Sequence, residues 1–153
     1  MHVLSPSDSL FHGERLLIRT VRLLALTEPC HGLRAHFEAA CGCAGETAYR
    51  MLEAFVQQLA LRGRRRVALA IPADPRLTED EAVILDAFGA AQAGDYRTLD
   101  ERLGGLLGAP PPASLGAAAC MVAETLAING LMLEPRPAPD AMIPAAWTPM
   151  AAE

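Results

Sequence analysis

The chain has 153 residues, of which 52% are hydrophobic and 20% are charged, and its formal net charge is −5. This length fits one domain that needs no disulfides, and the composition excludes an intrinsically disordered protein. The negative charge makes nucleic acid an unlikely partner, because binding it would release few counterions.

The apolar residues are mostly alanine and leucine, which favour helices, and their spacing predicts an all-α bundle of five or six helices. We expect a flexible leader over residues 1–13, a helical domain over residues 14–133 and a proline-rich tail over residues 134–153. The predicted helices are Glu14–Leu26, Leu33–Ala40, Glu46–Leu61, a fourth ending near Gln92, a fifth ending before Gly108, and Leu115–Asn129.

Three local signals predict where helices begin and end. Thr78 and Glu81 have the spacing of a capping box at the start of the fourth helix. Asp95 and Ser114 are placed to cap the fifth and sixth helices. Gly63 is expected to end the third helix in the left-handed conformation.

A short apolar segment, Val67–Ile71, lies between Gly63 and Pro72 and is too short for a helix. It predicts a strand, yet no second strand is evident, and a lone strand leaves backbone groups unpaired. We expect it to pair with a partner chain, to pair with the leader or the tail, or to serve as an extended connector.

The sixth helix is apolar nearly all round, so we expect it at the centre of the bundle. It carries Glu124 and is rich in alanine and glycine, which argues against a membrane span. Residues Met1–Glu14 do not have the pattern of a signal peptide. We therefore predict a cytoplasmic protein with reduced cysteines and no membrane contact.

One cluster of soft ligands suggests a metal site, formed by Cys30, His31, His36, Cys41 and Cys43. Thiolate and imidazole groups bind zinc, although these spacings depart from those of common zinc motifs. The alternative is that the cysteines pack as small apolar residues and the histidines lie at the surface. We expect no cofactor, and zinc is the alternative.

Two features suggest binding of a partner. Arg64, Arg65 and Arg66 form the densest positive run, and Trp147 is a bulky anchor in the proline-rich tail. A further arginine stripe, formed by Arg15, Arg19 and Arg22 on the first helix, is expected to be a solvated face.

The leading hypothesis is a non-enzymatic interaction or regulatory protein whose protein partner is unidentified, with a homodimer through Val67–Ile71 as one form. A zinc-binding protein is the second hypothesis. The third is a small enzyme with a cavity in which Glu124 acts as acid or base.

The run Arg66-Val67-Ala68-Leu69-Ala70-Ile71-Pro72, followed by Pro75-Arg76-Leu77-Thr78-Glu79-Asp80-Glu81, resembles a group of small helical alphaproteobacterial proteins known only as a domain of unknown function. The resemblance covers Arg65–Leu85, about a seventh of the chain. Those proteins often carry a cysteine run where this chain has Pro72-Ala73-Asp74. The resemblance implies a helical fold and supplies no activity.

Overall fold

A computed structural model describes residues 3–6, 12–26 and 31–133. Within them the chain forms six α-helices, which confirms the predicted all-α bundle. The helices are α1 (His12–Ala25), α2 (His31–Ala40), α3 (Gly45–Arg62), α4 (Glu79–Ala93), α5 (Tyr96–Leu107) and α6 (Ala113–Ile128). A single 3-10 turn, Gly42–Ala44, joins α2 to α3.

The hydrophobic core takes buried side chains from all six helices. Helix α4 packs against α1, α5 and α6, while α3 packs against α1, α2 and α6. Phe55 of α3 and Phe88 of α4 are both fully buried and meet edge to face with ring centroids 4.9 Å apart. This aromatic contact joins the two helices at the middle of the bundle.

Helix α6 is not enclosed on all sides, which corrects the prediction that it forms the centre of the bundle. One face, including Leu115, Val122 and Leu126, is buried. The opposite face leaves Met121 and Ile128 exposed, and Ile128 is 83% exposed. Because alanine-rich helices have little amphipathic contrast, the sequence pattern could not identify which side faces water.

The predicted helix ends whose hydrogen bonds involve residues close in sequence are confirmed. Thr78 accepts a hydrogen bond from the Glu81 backbone N–H at 3.0 Å, and Glu81 accepts one from the Thr78 N–H, which completes the capping box. Asp95 caps α5 by accepting from the Thr98 N–H. Gly94 adopts a left-handed conformation, with φ of 76°, as the residue after α4.

Two predicted helix ends are wrong. Gly63 has φ of −70° and ψ of 138°, because the chain leaves α3 in an extended direction and the next N–H, of Arg64, bonds to the Leu107 carbonyl. Ser114 does not cap α6, which begins at Ala113; its hydroxyl lies 3.1 Å from Gln58 Oε1 instead. Both outcomes depend on contacts with distant elements.

The segment Val67–Ile71 forms no ladder with another described segment, so within the described residues it takes the connector role among the three expected for it. The strand there is β2 (Arg76–Thr78), which pairs antiparallel with β1 (Val3–Pro6), so that part of the predicted leader has a regular backbone. Residues 63–75, which we call the connector, run between α3 and β2 without regular secondary structure. The connector is the extended segment expected between the third and fourth helices.

A buried ion pair fixes the connector against the bundle. Arg22 of α1 lies only 4% exposed and contacts both carboxylate oxygens of Glu81 at 2.8 Å. The remaining N–H groups of the same guanidinium donate to connector carbonyls, that of Asp74 at 2.8 Å among them, and to the carbonyl of Arg76 at 2.6 Å. The arginine stripe of α1 is therefore not wholly solvated, as its third member points inward.

No helix among the described residues combines the length and the hydropathy that a membrane crossing requires.

Candidate functional site

A groove lies between α1, α3 and the connector, with a volume of about 540 Å³. Its apolar floor and wall consist of Val21, Leu24, Val56, Leu59, Val67 and Leu69. Arg64, Arg65 and Arg66 line it on the connector side. We call this depression the connector groove. Its size and apolar lining, with few charged groups, are typical of a binding site.

Arg65 is engaged within the fold. Its guanidinium donates to the carbonyls of Gly105 and Leu106 at the end of α5, and it forms an ion pair with Asp80 at 3.1 Å. A cation suits this position because the last carbonyls of a helix carry partial negative charge. Arg65 therefore anchors the connector to α5 and α4.

Arg64 and Arg66 differ from Arg65. Both side chains are exposed, and within the described part of the chain neither guanidinium has a hydrogen bond or an ion pair. They flank the anchored Arg65 and line the same groove. The groove thus combines an apolar floor with two cations available to an anionic group.

The predicted metal ligands are only partly described, and those that are do not form a site. His36 and Cys43 are exposed, whereas Cys41 is fully buried in the core. Cys30 and the side chain of His31 lie outside the described residues. Among the residues that are described, no three His, Cys, Asp or Glu side chains are grouped to hold a metal ion. Zinc binding stays a prediction, which elemental analysis of protein purified without chelator tests.

Burial changes the chemistry of Cys41. Loss of solvation raises the pKa of its thiol to about 11, from the usual 9.0. A thiol with such a pKa remains protonated at neutral pH and is a poor nucleophile and a poor metal ligand. Cys41 therefore acts here as a small apolar core residue, with Asn129 donating to its carbonyl oxygen at 2.7 Å.

The other predicted residues lie away from the groove. Glu124 is exposed on α6 and does not line the connector groove. Its negative charge contributes, after desolvation, to the raised pKa of the Cys120 thiol. Trp147 and the tail lie outside the described residues.

Sequence reasoning did not identify Arg22, Asp80 and Glu81 as the groups that hold the connector in place. The sequence predicts these two carboxylates only as part of the start of a helix. A signal exists, because a carboxylate run a short distance after an extended apolar segment can accept its N–H groups. The position of Arg22 had no local signal, since its partners lie 49 or more residues away.

Comparisons of this chain with protein-family models, with curated proteins and with solved structures found no match. The resemblance to the alphaproteobacterial group stays a prediction.

Proposed function

We propose that this chain is a non-enzymatic interaction protein that binds an acidic, apolar segment of a partner protein in the connector groove. The observation that carries the proposal is the juxtaposition of an apolar groove with Arg64 and Arg66, two cations that have no partner within the described residues. The positive charges of the two arginines favour an acidic ligand, and the apolar floor of the groove favours apolar side chains.

The different contacts of the three neighbouring arginines support this proposal. Arg65 is paired with Asp80 and with α5 carbonyls, so its charge is already compensated. Arg64 and Arg66 retain their charge for a ligand, on a chain whose formal net charge is −5. A local cationic site on an acidic protein favours anionic segments while the remaining surface repels them.

Binding of a labelled eight-residue peptide tests the proposal. In this peptide every second residue is leucine, and the residues between the leucines are glutamate or serine. The matched control peptide has lysine at each glutamate position. Fluorescence anisotropy should detect binding of the glutamate peptide alone, weakening as salt is added, because screening reduces the attraction.

Substitution of Arg64 and Arg66 completes the test. The double variant Arg64→Gln and Arg66→Gln should bind the glutamate peptide about tenfold more weakly, since two partly exposed ion pairs are lost. Arg97→Gln is the matched control, because Arg97 is exposed at the far end of α5. Equal binding of both peptides, or no effect of the double variant, contradicts the proposal.

A further inference from the structure

The two edges of the connector differ in their hydrogen bonds. On one edge the Ala68 N–H donates to Asp80 at 2.7 Å and the Ala70 N–H donates to Glu81 at 2.9 Å. The Ala68 carbonyl accepts from the Thr78 hydroxyl at 2.7 Å. Contacts at alternate residues are those of an extended chain, whose backbone groups point to opposite sides in turn. The start of α4 thus takes the place of a neighbouring strand.

The other edge is open. The N–H and C=O groups of Val67 and Leu69 have no hydrogen bond within the described residues. The open stretch ends at Ile71, whose carbonyl accepts from Arg22 and from the Asp74 N–H. Val67 and Leu69 are half-buried, and both line the connector groove. Partly buried backbone groups without partners favour pairing with another chain.

We infer that the partner's segment binds in an extended conformation, as a strand added to the open edge at Val67 and Leu69. This inference rests on the function proposed above. Four backbone hydrogen bonds to these two residues would fix the register of the added strand. Alternate apolar side chains then enter the groove, and an acidic side chain reaches Arg64 or Arg66.

The connector is built to hold this edge in place before binding. Arg22, Asp80 and Glu81 bind its backbone from one side, and Arg65 fastens its start to α5. An edge that is already ordered loses little conformational entropy when a strand is added. Only the peptide has to be ordered on binding.

A second copy of this chain is the competing occupant, and charge argues against it. Two copies would each bring a formal net charge of −5 and repel one another. An acidic segment on a separate protein instead meets the cations of the groove directly. Sedimentation with and without peptide distinguishes the two cases, because a symmetric connector pair would be displaced by the peptide.

Amide hydrogen exchange followed by nuclear magnetic resonance tests the inference on the full chain. Without peptide, the Ala68 and Ala70 amides should exchange more slowly than those of Val67 and Leu69. With the saturating glutamate peptide, exchange at Val67 and Leu69 should slow by about tenfold or more, as expected for newly bonded amides. Unchanged exchange at both residues, with the peptide demonstrably bound, overturns the inference.

N-methylated peptides separate this inference from the proposed function. Methylation of every second peptide N–H along one edge should weaken binding at least tenfold, whereas methylation along the opposite edge should change it less than about threefold. If both methylated series bind like the parent, the groove binds peptides but not as a strand. If the parent itself does not bind, the proposed function fails, and this inference with it.

Discussion

At the scale of single residues, Arg22 is the group on which the connector depends. Its guanidinium is buried and meets the Glu81 carboxylate with two hydrogen bonds while its other N–H groups bind backbone carbonyls. A buried guanidinium stabilises the fold only when its N–H groups all have acceptors, as they do here. Removing it leaves a buried carboxylate without its counter-charge.

We predict that Arg22→Met lowers the free energy of unfolding by about 3–5 kcal/mol, measured by urea denaturation. The double variant Arg22→Met, Glu81→Gln should recover part of this loss. Glutamine has no buried charge that requires Arg22, and its side-chain oxygen can still accept the hydrogen bond from the connector. Arg97→Met, at a side chain that is 91% exposed, should change stability by less than about 0.5 kcal/mol. A loss at Arg22 no larger than that of the control contradicts the prediction.

Cys41 provides a second prediction at this scale. Since its pKa is about 11 in the folded chain and 9.0 ordinarily, the unfolded chain releases the thiol proton first as pH rises. The stabilisation is therefore complete below pH 9 and is lost as pH rises toward 11, by up to about 2 kcal/mol. Thermal or urea unfolding across this range measures the loss.

Cys41→Ala removes the titrating group and is the control for that experiment. The variant should be less stable than the parent at pH 7, owing to the smaller core side chain, but its stability should fall less steeply between pH 9 and pH 11. Parallel pH profiles for the two proteins would show that the thiol is not buried as described.

At the scale of elements, a glycine allows α2 and α3 to approach closely where α3 begins. Gly45 begins α3 and is packed against the backbone of Glu38 in α2, so an added Cβ would overlap the Glu38 carbonyl. Gly116, inside α6, has open space around its Cα. The two glycines therefore differ in what an alanine would meet.

We predict that Gly45→Ala destabilises the chain by about 1–3 kcal/mol, because the backbones of α2 and α3 must move apart. Gly116→Ala should instead stabilise it by about 0.5–1 kcal/mol, since alanine has the higher helix propensity. Calorimetric melting temperatures of the two variants check both signs. Equal shifts would mean that α2 and α3 are not in contact at Gly45.

Elements were predictable from the sequence where their cause is local. The cap formed by Thr78 and Glu81 involves residues three apart, and Asp95 contacts the next turn of chain. The left-handed conformation predicted for Gly63 is wrong because the next N–H, of Arg64, binds the Leu107 carbonyl of α5. The extended segment Val67–Ile71 was predictable, but the α4 carboxylates that accept its N–H groups were not. The residues next to a backbone N–H in the sequence do not indicate which distant group will accept its hydrogen bond.

The candidate site was predictable only in part for the same reason. The cationic run at Arg64, Arg65 and Arg66 was evident from the sequence alone. Arg65 is engaged, whereas Arg64 and Arg66 have no partner in the described part of the chain, and this difference depends on where Asp80 and the end of α5 lie. The apolar floor combines α1 with α3, whose residues there lie more than thirty positions apart.

At the scale of the whole molecule, the bundle supports a connector that is ordered yet open on one side. The helices α1, α4 and α5 hold it through Arg22, Glu81 and the Leu107 carbonyl, while α3 supplies groove floor. A second exposed apolar surface exists on α6, at Ala117, Met121 and Ile128, but the sequence of α6 itself contains no lysine or arginine. We therefore propose the connector groove, and not α6, as the binding site for acidic partners.

Mapping of backbone amide shifts on addition of the glutamate peptide tests this claim most directly. We predict that the perturbed amides cluster at residues 21–25, 56–60 and 63–69, and that the lysine peptide leaves them unchanged. Perturbations centred on Ala117, Met121 and Ile128, or none at any peptide concentration, would contradict it.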